Sequence, residues 1–495
     1  MSCSELLLWL RNNGGFVSDK VSLFAESSAA DQKDKTIRAV KPICEDEKIL
    51  VVPMEVCIYY DEDIIQRLID VDESCATSQI RKRAPSLDPF LATTLLVLHE
   101  QSKGESSRYW AYLSALPREL DCTIFWTPEE LEFLTGTSIA GADDAVKEAF
   151  QQKVKPLLSE RADLWAPKFQ TYNAFRLAYS LVQSRGFRMR KENWLTGEAL
   201  EGDHLYMLPA IDMLNHSARE GLRNAELSKV DEPMSAELGD GRVASFAGFF
   251  AVRASRRIEE GEELLISYGD LGDAQLLRTY GFVEDVGSRR RGDGAAWNPN
   301  NRIMLSFAEV TAACRETMRK DGADAPADDR AELLHRHGVD LDDPLPDDLL
   351  AAVVVMHMDE EELREVAAAA GGDGWLDELR RSPSLRRFEE CESLHRAFRA
   401  RTPLLHWCRE DLGEAAPLRR RYAQRVAEAE LRVLEHATKS CLELMCSAQE
   451  DGDEDDEEEA DDEEADEEES GGSSGGSDED PCEPTGVEAK RRRVG

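Results

Sequence analysis

The stretch ELLISYG, residues 263–269, is a short apolar run that ends in an aromatic residue and a glycine. Its length and apolar side chains predict a β-strand. Residues 276–282, LLRTYGF, predict a helical turn that leads into a second aromatic–glycine pair. Residues 208–217, LPAIDMLNHS, are an apolar run that ends in a polar cluster, and alone they predict a buried strand followed by a turn. Each stretch is common by itself, so only their order and spacing are informative.

The pattern around these stretches predicts strands on both sides of a long, mostly helical region. The predicted strands are 36–40, 49–53, 205–214, 242–253 and 262–268, and the predicted helices between them include 89–98, a helix capped by Thr127, and 175–183. Strands interrupted by one helical block indicate an α+β fold and not alternating βαβ units. We therefore expect one domain at 1–290, with a helical insertion at about 75–200.

A second domain is predicted at 297–446, because the composition there shifts to Ala, Leu, Glu and Arg with helical spacing. We expect this domain to be all-helical, and its best predicted helices are 349–356, 360–370 and 419–445. The last segment, 450–495, is an acidic low-complexity tail that buries too little apolar surface to fold, so we expect it to be disordered.

Charge and apolar content exclude several classes of function. The net charge is −40, of which the tail contributes −18 through 22 acidic and 4 basic residues. An acidic protein is poorly suited to bind nucleic acid directly, because such binding requires a positive surface. A protein partner, in particular a basic one such as a histone or ribosomal protein, suits it better. No apolar run approaches the length of roughly 20 residues that a membrane helix needs, so we expect no membrane contact.

The eleven cysteines are odd in number and include no CxxC pair. Reduced thiols in a cytoplasmic or nuclear protein are the expected state. Since no set of four closely spaced ligands is present, we expect no metal site.

Taken together, the stretches 208–217, 263–269 and 276–282 resemble the SET domain, in the branch typified by the Rubisco large-subunit lysine methyltransferase. Two upstream stretches match that branch as well: Ser184-Arg185 with Phe187, and YWAYLSALP at 109–117. The resemblance extends from about residue 5 to about residue 446. It implies a β-fold in which the Asn-His segment and the Tyr-bearing segment cross in a pseudoknot, a rare chain crossing.

The resemblance also implies a binding site for S-adenosyl-L-methionine (AdoMet), the methyl donor. Asn215 and the backbone of His216 would hold AdoMet, and Asp212 would support them. Arg185 would face its carboxylate, for which a guanidinium fork is well suited. Tyr268 would border the cofactor as well.

The same resemblance makes Tyr268 and Tyr280 the catalytic residues, lining a narrow channel where the target nitrogen meets the methyl group. Direct in-line transfer requires a neutral amine roughly 3 Å from the methyl carbon and no metal. An apolar aromatic channel beside a cationic sulfonium lowers the pKa of a lysine amine. Each residue also has a structural alternative: the tyrosines as core aromatics, His216 as a turn residue, Arg185 as a local ion-pair partner.

Several departures from the family pattern bear on activity. Residues 32–37 match a first motif that is usually glycine-rich but contain no glycine, and Asp273 stands where relatives often have asparagine. The cysteine-rich zinc clusters of histone-type SET enzymes are absent from the sequence. In the Rubisco-enzyme branch a helical C-terminal domain takes their place, and 297–446 resembles that substrate-binding domain.

The sequence therefore predicts a monomeric AdoMet-dependent protein-lysine N-methyltransferase. One alternative is a protein-histidine methyltransferase of the same fold, although a relative that methylates histidine lacks a tyrosine at the position of Tyr280. The other is a catalytically weak SET protein that binds basic proteins. The basic cluster at 490–493 resembles a nuclear import signal, so the predicted location is cytoplasmic, nuclear or both.

Overall fold

The structure is a computed structural model, and it describes residues 3–25, 35–59, 88–192, 199–284, 297–320, 337–340, 342–358, 364, 388–410, 412 and 416–465. The predicted import cluster at 490–493 and the first three residues of the 32–37 motif lie outside these ranges, as does the predicted helix 360–370 except for residue 364.

The described residues up to Tyr59 contain one α-helix and five short strands. They are α1 (Cys3–Asn12), β1 (Phe16–Val17), β2 (Val21–Ala25), β3 (Lys35–Ala39), β4 (Lys48–Pro53) and β5 (Ile58–Tyr59). β2 and β3 pair as an antiparallel hairpin. β3 and β4 confirm the predicted strands at 36–40 and 49–53. Five of the six β4 residues are buried, which agrees with the unbroken apolar run in the sequence.

The helical insertion follows. It consists of α2 (Pro89–Lys103), α3 (Trp110–Leu113), α4 (Pro128–Leu131), α5 (Asp144–Ala149), α6 (Lys155–Glu160) and α7 (Tyr172–Arg185), with short 3-10 and π turns between them. Asp88 caps α2 by accepting hydrogen bonds from two backbone N–H groups, and Pro89 fills the first helical position. Thr127 caps α4 as predicted, in a capping box with Glu130. The helices end at Arg185, before the predicted boundary of about 200.

The second set of strands completes the N-terminal domain. It contains β6 (Gly186–Glu192), β7 (Ala199–Met207), β8 (Asn215–His216), β9 (Ala225–Val230), β10 (Met234–Glu237), β11 (Val243–Phe246), β12 (Phe249–Ala254), β13 (Leu265–Ile266) and helix α8 (Asp273–Tyr280). One sheet has the antiparallel order β1-β4-β12-β9 and another has the order β5-β7-β6. β12 pairs with β4 on one side and with β9 on the other, so strands from both ends of the domain share one core.

Two strand predictions in this region were wrong in extent. The predicted strand 205–214 stops at Met207, because Pro209 has no N–H to donate and Ala210 has a left-handed φ of 68°. A 3-10 turn over Ile211–Met213 follows. The predicted strand 262–268 is assigned only at Leu265–Ile266, since the segment changes partners: Glu263 bridges Arg38 of β3, and Leu265 pairs with Asn215 of β8.

The C-terminal part is mainly helical and contains β14 (Arg302–Leu305), α9 (Phe307–Lys320), β15 (His337–Asp340), α10 (Asp347–His357), α11 (Phe388–Leu405) and α12 (Leu418–Ala465). α10 and α12 confirm the helices predicted at 349–356 and 419–445. The expectation of an all-helical domain was wrong, because β14 and β15 form an antiparallel pair. Buried and partly exposed residues alternate along β14, with Ile303 and Leu305 buried, and this period of two is that of a strand and not of a helix.

Helix α12 continues to Ala465, into the segment that we expected to be disordered from residue 450. Seven of the sixteen residues at 450–465 are glutamate, which has good intrinsic helix propensity and favours continuation of the helix there. The expectation of disorder for 466–495 falls outside the described residues. Among the helices that the structure does describe, none combines the length and apolar character required to cross a membrane.

Candidate functional site

A cavity of about 940 Å³ opens where the C-terminal ends of α7 and α8 meet the strand segments of the N-terminal domain. Four of the six predicted site residues line it: Arg185, Asp212, Tyr268 and Tyr280. They come from four separate stretches of the sequence, so the fold assembles them into one site. Asn215 and His216 do not line this cavity, and a direct contact between them and a cofactor stays a prediction.

Three aromatic rings are stacked beside the cavity. The ring centroids of Tyr268 and Tyr280 are 4.8 Å apart with an interplanar angle of 26°, and those of His216 and Tyr268 are 5.0 Å apart at 21°. Burial raises the pKa of Tyr280 to about 12, so its phenol is neutral at physiological pH. The stack provides an aromatic wall for the cavity, to which the hydroxyl groups of both tyrosines are attached.

The hydroxyl of Tyr268 is fixed by the backbone of the Asn-His segment. It donates a hydrogen bond to the carbonyl oxygen of Leu214 at 2.6 Å. The segment lies close enough for this contact because β8 and β13 pair in parallel, with Asn215 opposite Leu265 and His216 opposite Ile266. The parallel pairing therefore sets the position of the phenol, which confirms the predicted proximity of these two segments.

His216 supports Tyr268 from behind. Its Nδ1 accepts the backbone N–H of Tyr268 at 3.0 Å. Burial lowers the pKa of His216 to about 4, so the imidazole is neutral near pH 7. A neutral imidazole whose Nδ1 accepts must carry its proton on Nε2. The His216 side chain thus fixes the position of Tyr268. The predicted contact between the His216 backbone and a cofactor stays a prediction.

Arg185 and Asp212 form a second fixed unit on the cavity wall. Nη1 of Arg185 donates to the backbone carbonyl of Asp212 at 2.7 Å and lies 4.0 Å from its Oδ2. That Oδ2 also accepts the hydroxyl of Tyr112 at 2.7 Å. Tyr112 is fully buried, and burial, together with the Asp212 charge, raises its pKa well above the usual value. The guanidinium is held at the wall by these contacts.

Asn215 belongs to a separate polar cluster centred on Glu263. Its Nδ2 donates to Oε1 of Glu263 at 2.7 Å, and the hydroxyl of Thr36 donates to the same oxygen. Arg38 lies 3.7 Å from the other carboxylate oxygen. Glu263 therefore ties β3, β8 and the start of the Tyr268 segment together.

Two of these supporting residues were missed by the sequence reasoning. Tyr112 lies inside the stretch 109–117, which was noted for its resemblance but given no role, so a signal for it was available. Glu263 begins the stretch 263–269, but its pairing with Asn215 and Thr36 depends on distant contacts that no local pattern reveals. Among the described residues, no group of three potential ligands is placed to hold a metal ion.

Comparison with known proteins agrees with this geometry. Residues 34–269 match the family model described as "SET domain". The chain is 25% identical over 341 residues to "N-lysine methyltransferase setd6" of Danio rerio, covering 67% of this chain and 65% of the relative. It is 28% identical over 252 residues to the chloroplastic ribulose-1,5-bisphosphate carboxylase/oxygenase large subunit N-methyltransferase of Pisum sativum, covering 50% of this chain and 45% of the relative. The matches thus span about half to two thirds of these relatives.

Solved structures show the same fold. A structure described as Rubisco LSMT bound to AdoMet superposes with a TM-score of 0.61 at 19% identity, covering 91% of this chain and 94% of that one. Another, described as the SET domain of LSMT bound to MeLysine and AdoHcy, gives a TM-score of 0.62 at 19% identity, covering 90% and 93%. Because these alignments extend well beyond 34–269, the likeness in fold includes the helical C-terminal region.

Proposed function

We propose that the protein is an AdoMet-dependent protein-lysine N-methyltransferase that acts by direct in-line methyl transfer, because residues 34–269 match the SET-domain family model. The observation that carries the proposal is the shared cavity wall. The Tyr268–Tyr280 stack and the Arg185 guanidinium lie on the same cavity, each held by separate buried contacts.

The residues at the cavity fit AdoMet. The guanidinium of Arg185 suits the carboxylate of an amino-acid moiety, and its buried Nε has no hydrogen-bond acceptor among the described residues. Gly269 has a φ of +114°, and no atom lies within 4 Å of where its Cβ would be. A ligand can therefore approach the backbone there. When bound, AdoMet would supply a methyl group activated by its positively charged sulfonium.

The chain's own residues would prepare the target amine. Exclusion of water by the rings of Tyr268 and Tyr280, together with the positive charge of the sulfonium, would disfavour the ammonium form of a lysine at this site and lower its pKa. The Tyr268 hydroxyl donates its proton to the Leu214 carbonyl, so toward the amine it would act through its oxygen as a hydrogen-bond acceptor. Fixed orientation of the amine contributes most to such a reaction. Retention of the Tyr280 ring, which narrows the site, favours lysine over histidine as the target.

We also propose that the chain acts as a monomer on a basic protein in the cytoplasm or nucleus. The cavity lining carries both signs of charge, with Arg188 and Arg223 beside Glu220 and Glu226, so the preference rests on the net charge of −40, which would favour positive charge next to the target lysine. Two peptides with the same central lysine, one with arginine and one with glutamate neighbours, would test this. We expect a lower KM for the arginine peptide, with the difference shrinking at high salt. Equal KM values would refute the preference.

The activity itself can be tested in two steps. Titration calorimetry should give saturable AdoMet binding. Incubation with methyl-labelled AdoMet and a cell extract should then label a protein, in which mass spectrometry should locate the methyl group on lysine. The absence of AdoMet binding would favour the binding-module alternative. Label on histidine would favour the histidine enzyme.

A further inference from the structure

A buried polar cluster lies at the opposite end of helix α8 from Tyr280. Asp273, the first residue of the helix, is 0% exposed. Its Oδ2 accepts the side-chain amide of Asn301 at 2.9 Å, and its Oδ1 accepts that of Asn298 at 3.3 Å. Nε of Arg425, on α12, lies 3.7 Å from Oδ2. One carboxylate thus joins the helix that carries Tyr280 to the C-terminal region.

The orientation of both asparagine amides is fixed by other bonds. Oδ1 of Asn301 accepts the backbone N–H of Asp273 at 2.7 Å. Oδ1 of Asn298 accepts the backbone N–H of Asn300 at 2.9 Å, while its Nδ2 also donates to the carbonyl of Leu271 at 2.9 Å. Neither amide can turn over without losing these contacts, so each presents an N–H group to residue 273. Only a side chain that accepts on both oxygens satisfies them, which explains aspartate at this position.

Arg425 is itself held in place. Its guanidinium carbon lies 3.9 Å from the ring centroid of Trp297, and that of Arg432 lies 5.2 Å from the same ring. Cation–π contact of this kind favours a desolvated arginine. The carboxylate of Asp273 therefore faces a positive charge positioned by α12, in addition to its favourable place at a helix N-terminus.

We propose that Asp273 is a positioning residue of the methyl-transfer site, and that with Arg425 it holds α8 so that Tyr280 stacks on Tyr268. This inference rests on the proposed function. Helix α8 spans eight residues, about two turns, so a shift at Asp273 moves Tyr280 as part of one short rigid element. Through this contact the C-terminal helical region shapes the channel directly.

The test compares Asp273→Asn and Arg425→Ala with Arg419→Ala. Arg419 is a matched control because it also lies on α12 and also contacts the N-terminal domain, through Asp121 and Glu130. We expect both test variants to lower kcat at least about tenfold while the AdoMet dissociation constant changes less than twofold, as expected for misplacement of the reacting groups. Arg419→Ala should lower Tm without lowering kcat of the folded protein.

Two further measurements separate positioning from general destabilisation. Hydrogen exchange of the amides at 276–282 should be faster in Asp273→Asn and Arg425→Ala, and unchanged in Arg419→Ala. In the double variant Asp273→Asn/Tyr280→Ala, the two effects on kcat should be clearly less than additive, since both act through the ring of Tyr280. Unchanged kcat and unchanged exchange in Asp273→Asn would overturn the inference while leaving the proposed function standing. A wild-type protein with no transferase activity would refute the proposed function, and the exchange measurement would still test the mechanical link.

Discussion

At the scale of single residues, the site depends on one hydroxyl. Tyr268 is fixed at both ends, by the Leu214 carbonyl at its oxygen and by His216 at its backbone. Removing the hydroxyl leaves the ring and the stack in place but removes the group that we propose orients the amine. Deletion of this hydroxyl therefore tests the chemical role of Tyr268 without disturbing the packing of its ring.

We expect Tyr268→Phe to lower kcat about a hundredfold, a typical loss for one positioned polar group, and to change AdoMet binding little. Steady-state kinetics with labelled AdoMet and calorimetry measure the two effects. Tyr206→Phe is the control, since Tyr206 is a buried tyrosine that packs on Phe250 and does not line the cavity. An unchanged kcat in Tyr268→Phe would contradict the catalytic assignment.

Tyr112 provides a second residue-level prediction. Tyr112→Phe removes the donor to the buried Asp212 carboxylate and should destabilise the protein by about 1–3 kcal/mol. Since Asp212 also holds Arg185, we expect weaker AdoMet binding with kcat at saturating AdoMet preserved. Tyr109→Phe, which loses a bond to the Cys57 carbonyl in the same stretch, should affect stability alone. If both variants bind AdoMet like the wild type, Tyr112 only stabilises the fold.

At the scale of elements, the end of α8 is constrained by Gly281. This residue has a φ of +82°, and an added Cβ would lie 2.6 Å from the backbone nitrogen of Cys122. Gly241, in the turn between β10 and β11, has the same φ, but no atom lies within 4 Å of its Cβ position. The pair separates the conformational cost of a side chain at positive φ from the cost of a clash.

We therefore expect Gly241→Ala to destabilise the protein by about 1 kcal/mol, the usual cost of a left-handed residue other than glycine. Gly281→Ala should cost more, because the insertion backbone must move, and it should lower kcat by displacing Tyr280. Urea unfolding and kinetics measure both. An equal loss of unfolding free energy in the two variants would show that the backbone at Cys122 moves aside without destabilising the protein.

The elements also show what the sequence could and could not predict. Helices with clear caps, such as α2 and α4, follow from local chemistry. Tyr268 and Tyr280 could be predicted from the sequence because each lies in an uninterrupted motif, at 263–269 and 276–282. In contrast, β13 is short because Glu263 and Leu265 pair with different partners. The Tyr112–Asp212 bond joins residues 100 positions apart. Both depend on long-range contacts that a single sequence does not encode locally.

At the scale of the whole molecule, Glu430 joins the insertion to the C-terminal helices. It lies on α12 and is 2% exposed. Its carboxylate accepts both the backbone N–H and the hydroxyl of Ser138, which belongs to the insertion. Arg401, on α11, lies 3.8 Å away and also donates to the carbonyl of Gly136. This junction is remote in sequence from every residue of the cavity.

Burial raises the pKa of Glu430 to about 7, against an ordinary value of 4.5, while Ser138 and Arg401 oppose the shift and Glu309 adds to it. A carboxyl with a raised pKa binds more protons in the folded state than in the unfolded state between these two values. The free energy of unfolding therefore falls as pH rises from about 4.5 to 7, by at most on the order of 3 kcal/mol from this group.

The side chain in Glu430→Gln cannot titrate, so this variant should lack the part of the pH dependence of unfolding free energy that Glu430 causes. Urea unfolding of both proteins at pH 5, 6, 7 and 8 measures it: the stability of the variant relative to the wild type should rise across this range and level off above pH 7. A constant difference would mean that Glu430 is ionised throughout and that Arg401 compensates its burial.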